Sequence, residues 1–129
     1  CSGGINSTSA KLIKFNPQNR TIENTFVFGN ISASPGSLKI NAQKDKLYFL
    51  NSSVYKMNIT DQNLPATAFI ANNSNTFYGL GIDPVNQDVY VSDAIDYVQS
   101  GIIFRYSATG SLIHQFNVGV IPGSFLFLQ

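Results

Sequence analysis

The sequence predicts an all-β chain. Three observations carry that expectation. A strand–turn–strand pattern recurs at intervals of about 43 residues, short apolar runs are punctuated by Gly, Pro, Asn and Asp, and no segment holds a helical 3.6-residue period over a helix's length. The recurrence is plainest where "PGSLKINAQKDKLYFLN" is laid over "FYGLGIDPVNQDVYVSD": Leu38 falls on Leu80, Ile40 on Ile82, Leu47 on Val89 and Tyr48 on Tyr90. The closing "IPGSFLF" in turn matches "SPGSLKI", with Phe125 on Leu38.

Taken in order, the elements are these. Residues 1–33 hold two strands, "AKLIKF" and "RTIENTFVF", around the turn Asn16-Pro17-Gln18-Asn19. Residues 34–75 hold four, and the second pair, within "SVYKMNITDQNLPATAFI", matches "GIIFRYSATGSLIHQF" of the next unit. Residues 76–118 are the clearest unit, with strands near Tyr78–Ile82, Asp88–Ser92, Gly101–Ser107 and Ser111–Asn117. Residues 119–129 carry a lone closing strand. Pro84 presets φ at a turn's second position, and Gly110 supplies a residue free to take positive φ.

Four strands every 40–50 residues is the spacing of a β-propeller blade. "DVYVS" and "GIIFRY" place apolar groups on both faces of a strand, as expected when blades stack on both sides; a sandwich with one wet face alternates more cleanly. The expectation is a partial propeller of about two and a half to three blades, divided 1–33, 34–75, 76–118 and 119–129. So few blades leave two bare faces. The chain is therefore expected to be part of a larger propeller or to self-associate through those faces. Cys1 aligns just after a second strand, which reads as an internal position and not as the lipid-bearing start of an exported lipoprotein.

Composition narrows the function classes. Charged residues make up 12% and the formal net charge is +1, so no basic footprint for nucleic acid exists. No apolar run approaches the ~20 residues that span a bilayer. A single cysteine rules out an intrachain disulfide. Six N-x-S/T triplets begin at Asn6, Asn19, Asn30, Asn51, Asn58 and Asn72; an Asn-rich chain generates such triplets freely, and they become glycan acceptors only in a eukaryotic secretory setting.

The stretch "GIDPVNQDVYVSDAIDYVQSGIIFRYSATGSLIHQFNVGVIPGSFLF" resembles the bacterial surface β-propellers of the YVTN/NHL-like superfamily, in particular the seven-bladed exported lipoproteins. The matching elements are "DP" before the first turn, "VYVSDA", "GIIFRY", the "TG" turn and the closing "IPGSFLF". The resemblance covers residues 34–129 well and 1–33 loosely. It implies export to the periplasm or cell surface and a binding role; some similar propellers capture corrinoids such as vitamin B12. No residue set carries a corrinoid site over position by position.

In a propeller, one face is lined by the connectors between blades and by the loops after each second strand. The longest such loop is "SDAIDYVQSG", with Asp93, Asp96, Tyr97 and Gln99; connector residues on the same face are Asn75, Phe77 and Tyr78, with Ser34 and Pro35 in the preceding unit. Aromatic rings beside amides and carboxylates suit a planar polar ligand or a sugar. The structural alternative is that Asp93 bonds backbone amides at its strand end and Tyr97 covers a neighbour. Asp83, Asp88, Asp93 and Asp96 suggest a calcium site only on paper, because Asp83 and Asp88 flank a turn on the face opposite Asp93. His114, the one histidine, reads as a packing residue, and Glu23 is the one glutamate, so neither a nucleophilic triad nor a paired-glutamate site can be assembled within the chain. No cofactor or metal is expected. The expected function is a non-enzymatic binding module taking a small nutrient, such as a corrinoid-like one, or a protein partner. The alternative is a propeller hydrolase of the lactonase sort, with its site shared between blades.

Overall fold

A computed structural model describes residues 8–128; Cys1 and the triplet at Asn6 lie outside them. The described residues contain nine strands and no helix: β1 (Lys11–Asn16), β2 (Thr21–Val27), β3 (Gly36–Ile40), β4 (Lys46–Asn51), β5 (Ser53–Asn58), β6 (Phe77–Ile82), β7 (Val89–Asp93), β8 (Ser100–Tyr106) and β9 (Leu112–Val120). They form three antiparallel sheets of two, three and four strands, ordered β1-β2, β3-β4-β5 and β6-β7-β8-β9. We call these sheets 1, 2 and 3. They do not close a ring.

The turns follow from their residues. Asn16 Oδ1 accepts the Gln18 amide at 2.9 Å and Asn19 Oδ1 accepts the Thr21 amide at 3.1 Å, both side chains standing in for a backbone turn. Gly110 takes φ 93° at the β8–β9 turn, the left-handed region its lack of Cβ permits. The repeat is visible in hydrogen bonds: the Asn41 amide donates to Lys46 O at 3.1 Å, and 42 residues on the Asp83 amide donates to Asp88 O at 2.9 Å. Asn41, buried, closes the first of these turns by accepting the Asp45 and Lys46 amides at 3.0 Å each, and its Nδ2 reaches Gln87 Oε1 at 3.3 Å in the second turn. The two turns thus sit side by side.

Apolar burial stacks the sheets. Tyr48, Leu50 and Val54 of sheet 2 pack with Leu80, Val89, Val91, Phe104 and Tyr106 of sheet 3. On the other face of sheet 2, Phe49 and Met57 pack with Ala10, Phe26 and Phe28 from the sheet 1 side. Alternate residues of β4 therefore serve two different neighbours, which is why its apolar run shows no polar face. Phe28 and Phe49 meet edge to face at 5.7 Å and Phe49 stacks on Tyr55 at 5.5 Å, adding specificity to the first of those contacts.

Three expectations need correction. The fourth strand of the 34–75 unit is reduced to one bridge, Ile70 opposite Val54, with N–O distances of 3.0 and 3.1 Å. Pro65 removes a ladder donor, and the polar run before it favours turns. The closing segment 121–128 is not a strand. It lies flat on a sheet face and has no ladder neighbour among the described residues, and a strand exists only where a neighbour supplies its hydrogen bonds. His114, expected to pack, is exposed on β9, the edge strand of sheet 3.

The closing segment is nonetheless firmly placed. A Cβ on Gly79 would lie 2.8 Å from Gly123 O, one on Gly101 2.6 Å from Pro122 Cδ, and one on Gly81 2.8 Å from Phe125 Cβ. Glycines at these positions make a flat strip that a backbone can approach closely. Because Gly123 lies over Gly79 and Phe125 over Gly81, the segment runs in the same direction as β6. Lys39 and Ile40, Gly81 and Ile82, and Phe125 and Phe127 together line one cavity of about 200 Å³. So β3, β6 and the closing segment lie side by side and run alike in direction, β3 and β6 each being the first strand of its sheet.

Candidate functional site

The expected site is built where β7 ends. Asp93 pairs with Phe77 in the β6–β7 register, and the Ala94 amide donates to Thr76 O at 3.0 Å, which binds the connector 72–77 to the loop 94–99. Asp93 is buried, 4% exposed, and one carboxylate oxygen accepts the Thr76 amide at 3.0 Å and the Ile95 amide at 2.8 Å. Those bonds give it a structural role: it ties loop to connector. Phe77 turns inward and meets Phe104 edge to face at 6.3 Å against the core between sheets 2 and 3.

Beyond Asp93 the loop is exposed and tightly wound. Its Asp96 carboxylate accepts the Gln99 amide at 2.9 Å, the Gln99 side chain at 2.8 Å and the Val98 amide at 3.0 Å. The Gln99 backbone bond first, then its side chain and the Val98 amide, hold Asp96 down at about 2. The Tyr97 amide donates to Ala94 O at 2.8 Å. Ile95 and Tyr97 both take positive φ, 54° and 65°. For a β-branched residue such as isoleucine that is a sterically costly conformation.

The winding places Tyr97 against Tyr78. Their rings lie 5.8 Å apart at 82°, edge to face, with 49% and 44% of each residue exposed. Tyr78, Tyr97, Asp96 and Gln99 thus share one solvent-facing surface. Asn75 is half-buried in the adjoining connector, where its amide donates to Asn72 O at 2.8 Å. Pro35 lines a separate small cavity of about 80 Å³ with Leu12, Phe28 and Phe49, and Ser34 is exposed beside it.

At the opposite end of sheet 3, one Asp88 oxygen accepts both Arg105 Nε at 2.7 Å and Nη2 at 2.5 Å, while Asp83 Oδ1 accepts the Val85 amide at 2.8 Å. Turn closure and an ion pair account for these acids, which stand apart from Asp93 and Asp96. Among the described residues, no three His, Cys, Asp or Glu side chains gather. Among the described residues, no helix is long and apolar enough to cross a membrane.

A second concave feature escaped the sequence reading. A groove of about 810 Å³ runs between the outer face of sheet 3 and the closing segment, lined by Tyr90, Ile103, Phe116, Phe125, Phe127 and Leu128 among others. Tyr90 meets Phe127 at 5.3 Å and Phe125 at 5.9 Å. Glycines at 79, 81 and 101 on one sheet face were the available signal, since a strip without side chains marks a place where another backbone approaches.

No curated protein matches the chain. A family model described as a domain of unknown function, DUF5074, matches residues 4–127. That span takes in all three sheets and nearly the whole closing segment, and the chain belongs to the DUF5074 family.

Proposed function

We propose that this chain is a non-enzymatic binding module whose sheets are consecutive blades of an exported bacterial β-propeller. On this reading the surface of Tyr78, Asp96, Tyr97 and Gln99 receives a small planar or ring-shaped nutrient, a corrinoid being one candidate. The tyrosine pair carries the proposal: two rings, each close to half exposed, are held at 82° by a loop that accepts positive φ at two non-glycine residues. Costly backbone is retained where the surroundings enforce it, and it clusters at ligand sites. The parallel course of β3, β6 and the closing segment and the 42-residue echo of the turn hydrogen bonds support the blade reading. Export rests on the resemblance to surface propellers alone.

The test is titration of the 129-residue chain with cyanocobalamin and, separately, with short oligosaccharides, followed by calorimetry. Saturable binding to one of these that Tyr97→Ala abolishes, with the fold intact by circular dichroism, supports the proposal. Binding that survives both Tyr97→Ala and Tyr78→Ala places the site elsewhere and overturns it.

A further inference from the structure

In sheet 3, β9 pairs with β8 from Ser100 to Tyr106. In sheet 2 the corresponding place beside β5 is taken by residues 59–69, which run irregularly around Pro65 and rejoin β5 at the Val54–Ile70 bridge. Leu64 and Pro65 of that stretch line a cavity of about 310 Å³ together with Phe28 from the sheet 1 side and Phe49, Asn51 and Tyr55 of sheet 2.

The strands explain why those sheet 2 side chains meet. Alternation along β4 sends Leu47, Phe49 and Asn51 to one face, and the β4–β5 register sets Tyr55 opposite Phe49. Tyr55 and Phe49 stack with 12° between their rings, and Phe28 closes on Phe49 edge to face. Asn51 is the repeat-mate of Asp93. Asp93 is buried and taken up by backbone amides, whereas Asn51 is half-buried on the cavity wall. Its amide offers a donor and an acceptor side by side.

The lining sets the chemistry of a ligand. The described residues that line the cavity carry no charge, so a charged ligand would lose its hydration without gaining a partner there. Aromatic walls favour another ring, offset or edge-on. An apolar protein cavity of about 150 Å³ takes one benzene, and this one, at about 310 Å³, has room for two fused rings. An asparagine amide meets the N6–N7 edge of adenine by giving one hydrogen bond and accepting another.

We propose that this cavity binds a neutral, purine-sized aromatic heterocycle, its ring against Phe49 and Tyr55 and its donor–acceptor edge on the Asn51 amide. The site shares no residue with the Tyr78–Tyr97 surface and stands whether or not that surface receives a nutrient.

Titration of the 129-residue chain with adenine, followed by heteronuclear NMR, tests it. Saturable shifts are expected at the Asn51 side-chain amide and at the Ala33 and Ala66 methyls, which also line the cavity. Asn51→Leu keeps the bulk and removes the polar edge, so adenine affinity should fall by about tenfold or more. Ala66→Trp, at an exposed position, fills the cavity and should abolish binding. Tyr97→Ala should leave adenine binding unchanged, which separates this site from the proposed nutrient surface. Should Asn51→Leu fail to melt cooperatively, Asn51→Ala replaces it with the same expected loss. A wild type without saturable shifts, shifts confined to the Tyr78–Tyr97 surface, or folded Asn51 and Ala66 variants that bind adenine as the wild type does would each overturn the proposal.

Discussion

The Ser92 hydroxyl donates to the Pro122 carbonyl while accepting the Gly79 amide at 2.7 Å. Ser92 is wholly buried, and one oxygen joins β6, its neighbour β7 and the closing segment. A hydroxyl suits this place because it can donate and accept at once.

Ser92→Ala should therefore act on two elements. It strands the Gly79 amide and the Pro122 carbonyl, and an unsatisfied buried group costs about 1–3 kcal/mol. Denaturant unfolding should show that loss, and amide exchange should accelerate at Gly79 and through 121–128 ahead of the β7–β8 ladder. Unchanged exchange in the closing segment would contradict the bridging role.

Glycine replacements separate close approach from backbone preference. Gly79→Ala meets Ser92 Oγ at 2.7 Å and Gly123 O at 2.8 Å, whereas Gly36→Ala meets nothing within 4 Å. Overpacking of this kind costs about 1–3 kcal/mol. The melting temperature should fall for Gly79→Ala and hold or rise for Gly36→Ala. Equal effects would show that the strip at Gly79 is not closely covered.

Leu80 and Leu38 make a similar contrast, the first 1% exposed and the second 51%. Truncating a buried leucine to alanine costs about 2–5 kcal/mol, while a surface substitution stays within about 0.5 kcal/mol. Measured at a concentration where the chain is monomeric, Leu80→Ala should be strongly destabilising and Leu38→Ala close to neutral. Comparable losses would mean that the two repeat-mates are buried alike.

Acid should loosen the loop that presents Tyr97. Asp96 is held at about 2, below its ordinary 3.8, by three donors within the loop. A depressed carboxylate supplies its stabilisation fully above the unfolded value and loses it as pH falls through the folded one. Loop order should thus persist at pH 4 and decay towards pH 2. An NMR titration of the Asp96 carboxyl with a midpoint near 3.8 would show that the donors do not hold it.

The strands β7 and β8 of sheet 3 were legible because their runs, Val89–Asp93 and Ser100–Tyr106, place apolar residues on both faces. The fourth strand of the preceding unit was overread: its partner matches in pattern, but Pro65 and the polar residues before it leave only Ile70 to pair. Pattern reports which residues want burial and says less about whether a neighbour exists to pair with. The same limit applies to 121–128, whose resemblance to "SPGSLKI" led to the expectation of a strand, whereas the segment lies over Gly79 and Gly81 without a ladder. Within the site, both Asp93 and Asp96 were candidates in sequence, and for Asp93 the alternative of bonding backbone amides at its strand end is what the structure shows. Burial separates them, since Asp93 sits beneath the connector and Asp96 in solvent. The Tyr78–Tyr97 pairing depends on positive φ at Ile95 and Tyr97, which no glycine announces.

The placement of the closing segment along β6 is the relation from which the repeat-wise stacking and the role of the glycine strip follow. A NOESY spectrum of the isotopically labelled chain reads it directly. Cross-peaks from the Phe125 ring to the Gly81 α-protons and from Gly123 to the Tyr78 ring are expected, with the Phe127 ring near Tyr90. Random-coil shifts through 121–128, with none of those cross-peaks while sheet 3 stays intact, would contradict it.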